Sequence, residues 1–142
     1  MENLKKSGKA RALEQLSQEG SYAQIGTYLS LKSNMSIAYD SSYELKAMKI
    51  FENDPAINSY GRCKIGIPYL LDGELHRYFP DFIVNYPTNS KIIEIKPEKF
   101  INSTKNLAKF SAARKYCEQH NLEFSLLTEK DLNFKKVRNT AN

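Results

Sequence analysis

Runs of alternating apolar and polar residues, broken by turn residues, fill the middle of this chain, and segments of helical periodicity bracket them. From Arg62 to Leu71 the pattern alternates as in a half-buried strand, Asp72-Gly73 is a strong hairpin signal, and Glu74 to Tyr86 returns as a second strand. Pro80 lies within that return and has no N–H to give to a ladder, so a bulge or an unpaired position is expected there. Pro87-Thr88-Asn89-Ser90 turns the chain again, Lys91 to Lys96 reads as a third strand, and Pro97 ends it. Ahead of the strands, Ser41 stands three residues before Glu44, the spacing of a capping box. Leu45, Met48 and Phe51 then recur near helical spacing until Asn53-Asp54-Pro55 stops the helix. Behind the strands, Thr104 to His120 carries an apolar stripe of Leu107, Phe110, Ala113 and Cys117, with Lys105, Lys109 and Tyr116 on another face. Leu122 to Leu127 is a short apolar strand expected in the interior, and Thr128 caps a last helical turn at Glu129-Lys130-Asp131.

The N-terminal part is less regular. Residues 1 to about 8 read as a basic tail, and Ala10 to Glu19 has helix formers with Gly20 where a C-terminal cap would stand. Gly26, Ser33, Asn34 and Ser36 interrupt any pattern between Ser21 and Asp40, which reads as a short helix or loop. The predicted organisation is a tail and helical extension over residues 1–40 and one domain over residues 41–142. That domain is of the α/β (α+β) class, a mixed central sheet of about four strands flanked by helices in the order αβββαβ.

Composition narrows the function classes. A chain of 142 residues with 41% apolar residues can bury a core as a single domain. No apolar run approaches the roughly 20 residues of a membrane-spanning helix, and no apolar signal core follows Met1-Glu2-Asn3-Leu4-Lys5-Lys6, so a cytoplasmic protein is expected. Cys63 and Cys117 are too few and too far apart for a disulfide framework or a zinc knuckle, and read as reduced, buried thiols. The net charge of +5, with Lys5, Lys6, Lys9 and Arg11 near one end and Lys130, Lys135, Lys136 and Arg138 near the other, favours a polyanionic partner. Gly61 and Gly66 form no phosphate-cradling loop, so nucleotide hydrolysis is unsupported.

The chemistry-bearing residues lie on the second and third strands. Asp81 follows Pro80 in one, and Glu94 and Lys96 stand two residues apart in the next, sharing a face while Ile93 and Ile95 share the other. If the two strands pair, Asp81 joins Glu94 and Lys96. Two carboxylates, with the Ile95 carbonyl between the key side chains, suit a hard divalent cation that polarises a phosphate and acidifies a water. Lys96 is a compact charge able to orient that water or stabilise the pentavalent state. The plain alternative is a set of exposed strand acids with a lysine that solvates the sheet. Glu44 has a sufficient structural role in the capping box, and a second one as an acid beside the metal.

This arrangement resembles the PD-(D/E)XK nuclease superfamily, through Glu44 on the first helix, Pro80-Asp81 on the second strand and Glu94-Ile95-Lys96 on the third. It is similar more closely to TnsA-type transposon endonucleases and head-completion nucleases of tailed phages. The segments concerned are Ser41-Ser42-Tyr43-Glu44-Leu45, His76-Arg77-Tyr78-Phe79-Pro80-Asp81-Phe82 and Ile93-Glu94-Ile95-Lys96-Pro97. The resemblance implies a restriction-endonuclease-like core and a Mg²⁺-dependent DNA endonuclease, with Mn²⁺ able to substitute. Its catalytic residues would be Glu44, Asp81, Glu94 and Lys96, and its metal ligands Asp81, Glu94 and the Ile95 carbonyl. The 142 residues show no counterpart of the winged-helix half of full TnsA proteins, so a compact phage-type nuclease, cytoplasmic or virion-associated, is expected.

His76, Arg77, Lys105 and Lys109 are the candidate DNA contacts, although an exposed polar strand face and a solvated helix face account for them as well. Partners beyond DNA would be a second copy, since one site cuts one strand at a time, or a phage or transposon assembly. The competing reading is a non-catalytic DNA-binding or virion assembly module that keeps the nuclease scaffold.

Overall fold

A computed structural model describes residues 23–132. The expected basic tail, the helix over Ala10–Glu19 and the basic residues Lys135, Lys136 and Arg138 lie outside the described residues. The chain runs β1 (Ala23–Ser30), β2 (Met35–Ser41), α1 (Ser42–Asn53), β3 (Ser59–Arg62), β4 (Ile67–Leu71), β5 (Glu74–Tyr78), β6 (Phe82–Asn85), β7 (Ser90–Ile95), α2 (Thr104–Gln119) and β8 (Glu123–Leu127).

The central sheet is four-stranded, in the order β3-β6-β7-β8. The first three strands are antiparallel neighbours, and β8 joins β7 in parallel after the crossover through α2. Read as α1, β3, β6, β7, α2, β8, this is the αβββαβ order of a restriction-endonuclease-like core, with the β4–β5 hairpin inserted between the first two sheet strands.

Each of the two long strands expected over Arg62–Leu71 and Glu74–Tyr86 is in fact two. Their first and second halves pair with different partners: β4 with β5, and β6 with β3 and β7. The chain changes sheets at Cys63–Gly66 and again at Phe79-Pro80-Asp81. Pro80 makes the second break, since it gives no N–H to a ladder and restricts the residue before it. The hairpin turn is as expected: Asp72 and Gly73 have φ of 52° and 79°, the two positive values of a tight two-residue turn.

The segment 21–40, expected as a short helix or loop, holds the antiparallel β1–β2 hairpin. The residues that broke the sequence pattern serve it. Asn34 takes a left-handed conformation in the turn (φ 56°), and Tyr39 lies across Gly26, where a Cβ would come within 2.5 Å of its hydroxyl. Glu52 of α1 docks the hairpin, accepting hydrogen bonds from Ser30 Oγ (2.7 Å), Lys32 N (3.0 Å) and Tyr60 Oη (2.6 Å). Lys32 Nζ caps the end of α1 by donating to Asp54 O at 2.6 Å.

The two helices cover opposite faces of the sheet. Met48 and Phe51 of α1 pack with Tyr60, Phe82, Val84, Ile93 and Ile95. Ala47 is buried beside them, while Leu45, expected in the stripe, is half-buried. Phe110, Ala113 and Cys117 are the buried residues of α2, against β7 and the β4–β5 hairpin. Leu107, also expected in that stripe, is 49% exposed, in the first turn of the helix. The helix closes on Asn121 (φ 57°), with Leu122 N donating to Cys117 O at 2.9 Å, a Schellman closure. β8, expected in the interior, is an edge strand paired only with β7, with Glu123 exposed and Phe124 to Leu127 half-buried. Cys63 and Cys117 are buried free thiols, and burial pushes Cys117 up to about 11. Among the described residues no helix is long and apolar enough to cross a membrane.

Candidate active site

The candidate site forms where the β6–β7 ladder ends. Backbone pairing stops at Phe82 opposite Ile93. The next N–H on that edge of β7 belongs to Ile95, and Asp81 Oδ2 accepts it at 2.8 Å. The Asp81 side chain thus supplies the rung that the chain break at Pro80 removes. The N–H and C=O of one strand residue leave the strand on the same edge, so the Ile95 carbonyl belongs to Asp81's edge as well. Asp81 is 2% exposed.

Glu94 lies one residue earlier in β7, on the face that also carries Ile92, and is 6% exposed. Its Oε1 accepts from the Tyr78 hydroxyl at 2.9 Å, and its Oε2 lies 3.6 Å from Lys96 Nζ. Lys96 N donates to Leu127 O at 2.9 Å, which ties the end of β7 to β8. The expected sharing of a face by Glu94 and Lys96 is therefore present. Burial, then the Glu94 charge, push the Tyr78 phenol far up, so it stays protonated and donates.

Glu44 is 1% exposed at the start of α1. Ser41 is the N-cap, its Oγ accepting from Glu44 N at 3.1 Å. The reciprocal bond goes one residue further upstream than in a regular capping box, from Asp40 N to Glu44 Oε1 at 2.8 Å. The same oxygen accepts from Arg62 Nη1 at 2.8 Å, and Arg62 Nη2 stands 3.6 Å from Asp81 Oδ1. The guanidinium also lies over the Phe82 ring, 4.8 Å from its centroid. Glu44 is thus linked to Asp81 through Arg62. Burial weakens the proton affinity of Arg62, but the Glu44 and Asp81 charges outweigh it and raise the net value.

Nothing in the linear sequence marks Arg62 or Tyr78 as part of the site. Arg62 is the β3 residue directly opposite Phe82, the neighbour of Asp81, and that proximity exists only once β3 and β6 pair. Tyr78 stands three residues before Asp81, on the other side of the chain break, so its reach to Glu94 was not visible in the linear pattern.

The candidate DNA contacts divide. Lys109 of α2 places its ammonium over the Tyr78 ring, 5.4 Å from the centroid, next to the Tyr78–Glu94 pair. Lys105 is exposed one turn earlier on the same helix. His76 and Arg77 fall on opposite faces of the β4–β5 hairpin. His76 stacks on Tyr69 at 5.3 Å, whereas Arg77 lies opposite Pro68 with its stem across Gly66.

The oxygen donors present are of the kind that Mg²⁺ takes. Among the described residues no three His, Cys, Asp or Glu side chains group as a metal cluster. Asp81 and Glu94 each give one oxygen to a protein donor, and the second oxygen of each faces a protein cation at 3.6 Å. Mg²⁺ is commonly held by one or two carboxylates with water and substrate phosphate completing its octahedron, so Asp81, Glu94 and the Ile95 carbonyl are the groups that would hold it.

A four-stranded mixed sheet between two helices, with acids and a lysine gathered at the end of one strand, makes this a restriction-endonuclease-like α+β domain. The model of the family described as TnsA-like endonuclease N terminal matches residues 48–129, and the chain belongs to that family. The matched span contains Arg62, Tyr78, Asp81, Glu94 and Lys96, and Glu44 lies shortly before it. No curated protein matches the chain.

Proposed function

We propose that this chain is a Mg²⁺-dependent endodeoxyribonuclease that hydrolyses phosphodiester bonds, with Mn²⁺ able to substitute. The observation that carries the reading is the convergence on the last residues of β7: Asp81 bonded to Ile95 N, and Glu94 beside Lys96. Asp81, Glu94 and the Ile95 carbonyl would hold the ion. When bound, it supplies Lewis acidity to a phosphate oxygen and makes a water more acidic. Tyr78 holds Glu94 in one orientation, and Lys96 offers an ammonium to the negative charge that develops on the phosphate. Glu44 is an acid at the start of α1 that acts beside the metal. Lys105 and Lys109 of α2 and His76 and Arg77 of the hairpin contact DNA. Phage- or mobile-element encoding, work on DNA ends or head completion, and a homodimer for double-strand cleavage are the biological setting that suits this chemistry, in the host cytoplasm or the virion.

The test is nicking of supercoiled plasmid with Mg²⁺ or Mn²⁺. Asp81→Ala and Lys96→Ala should each lower it by about 100-fold or more, and activity undiminished by both substitutions overturns the site. One observation favours a second reading, a non-catalytic DNA-binding or assembly module: the Arg62 guanidinium already stands between Glu44 and Asp81. DNA binding with no metal-dependent nicking would establish that alternative.

A further inference from the structure

Arg62 is the charged group of the site that the sequence pattern did not reveal, and its place is specific. It makes a direct hydrogen bond to Glu44 and a longer ion pair to Asp81, and its guanidinium lies over the Phe82 ring. A guanidinium keeps its proton under all working conditions, so a full positive charge stands permanently beside two buried carboxylates. Their mutual repulsion is offset by that charge, and a divalent cation approaching Asp81 is repelled by it. The side chain is 27% exposed, so its outer end is not sealed into the core. The two contacts are also unequal: 2.8 Å to Glu44 and 3.6 Å to Asp81, so Asp81 is the partner more readily given up.

We infer that Arg62 is a resident counter-cation that holds Asp81 beside Glu44 when no metal is bound and yields Asp81 to the divalent ion while keeping Glu44. The inference rests on the metal-dependent reading above. Arg62 is on this account a positioning residue that sets the metal affinity of the site. A site so built stays folded without metal and binds it more weakly than its acids alone would.

The experiment is Mn²⁺ binding to the full chain by calorimetry, for the wild type, Arg62→Gln, Arg62→Lys and Asp81→Asn, with circular dichroism to verify folding. Arg62→Gln should bind Mn²⁺ about ten-fold more tightly, the scale on which one neighbouring charge shifts a carboxylate equilibrium, and Arg62→Lys should stay near the wild type. Metal-free Arg62→Gln should melt below the wild type, and Mn²⁺ should raise its melting temperature by more. Asp81→Asn should remove the binding. Equal or weaker Mn²⁺ binding by folded Arg62→Gln overturns the role of Arg62 and leaves the metal reading standing. No Mn²⁺ binding by either wild type or Arg62→Gln overturns both. If Arg62→Gln does not fold, the Arg62 Nε–H resonance of the wild type decides. It should shift on Mg²⁺ titration and stay still in Asp81→Asn, and a resonance unmoved in the wild type overturns the inference.

Discussion

The Tyr78 hydroxyl donates a 2.9 Å hydrogen bond to Glu94 Oε1 from across the chain break at Pro80, so the hairpin that precedes Asp81 also orients the second acid. Tyr78→Phe removes one hydrogen-bond donor from a buried carboxylate. The expected loss of stability is about 1–3 kcal/mol, read from urea denaturation. On the proposed mechanism nicking should also fall about ten-fold, with the fold retained.

Asp81→Asn separates structure from chemistry. An asparagine carbonyl can still accept the Ile95 N–H, so the rung at the end of β7 survives while the negative charge is lost. Far-ultraviolet circular dichroism should be unchanged, and plasmid nicking should drop by about 100-fold or more. Lys96→Ala should lose a comparable factor in the same assay.

Glu52 makes stability acid-sensitive. Burial pushes its carboxyl up, but hydrogen bonds from Tyr60, Ser30 and the Lys32 and Leu31 backbone outweigh that and lower it below its ordinary 4.5. A carboxyl that binds its proton less readily when folded stabilises the fold above the ordinary value and loses this contribution as pH falls through the lowered one. Thermal melts between pH 6 and about 3 should therefore show a decline that Glu52→Gln reduces. Glu52→Ala should cost about 2–3 kcal/mol at neutral pH by releasing the β1–β2 hairpin from α1.

Ser41→Ala removes the side-chain cap of α1 at a fully buried position. The expected loss is about 1 kcal/mol in chemical denaturation. Because the cap sets the first turn that carries Glu44, metal affinity should change with it, which a Mn²⁺ titration reads.

Lys105 and Lys109 are predicted to act on the DNA backbone. Replacing both by alanine should weaken binding to all sequences alike and reduce the slope of log affinity against log salt by about 2. Arg77 tests the outer face of the hairpin in the same way, and His76 the face that stacks on Tyr69.

Much of the fold is written in local patterns. The Asp72-Gly73 turn, the Ser41 cap and the helix over Thr104–Gln119 were legible because turn chemistry, capping and helical periodicity act over a few residues. Partner exchange was not legible. Arg62–Leu71 and Glu74–Tyr86 look continuous because alternation reports which face a residue takes, and says nothing of which strand it meets. The β1–β2 hairpin is hidden in the sequence for a related reason. Gly26 and Asn34 read as breakers, and only the contact with Tyr39 and the left-handed turn show what they are for.

The site divides along the same line. The local sequence determined that Glu94 and Lys96 share a face, that Asp81 follows a ladder break, and that Glu44 sits in the first turn of a capped helix, because each follows from spacing within one segment. The tertiary structure alone decided that Asp81 bonds Ile95, that Tyr78 reaches Glu94 and that Arg62 joins Glu44 to Asp81. Those contacts link residues 14 to 19 positions apart, through strand pairings whose register is set by the packing of the whole core.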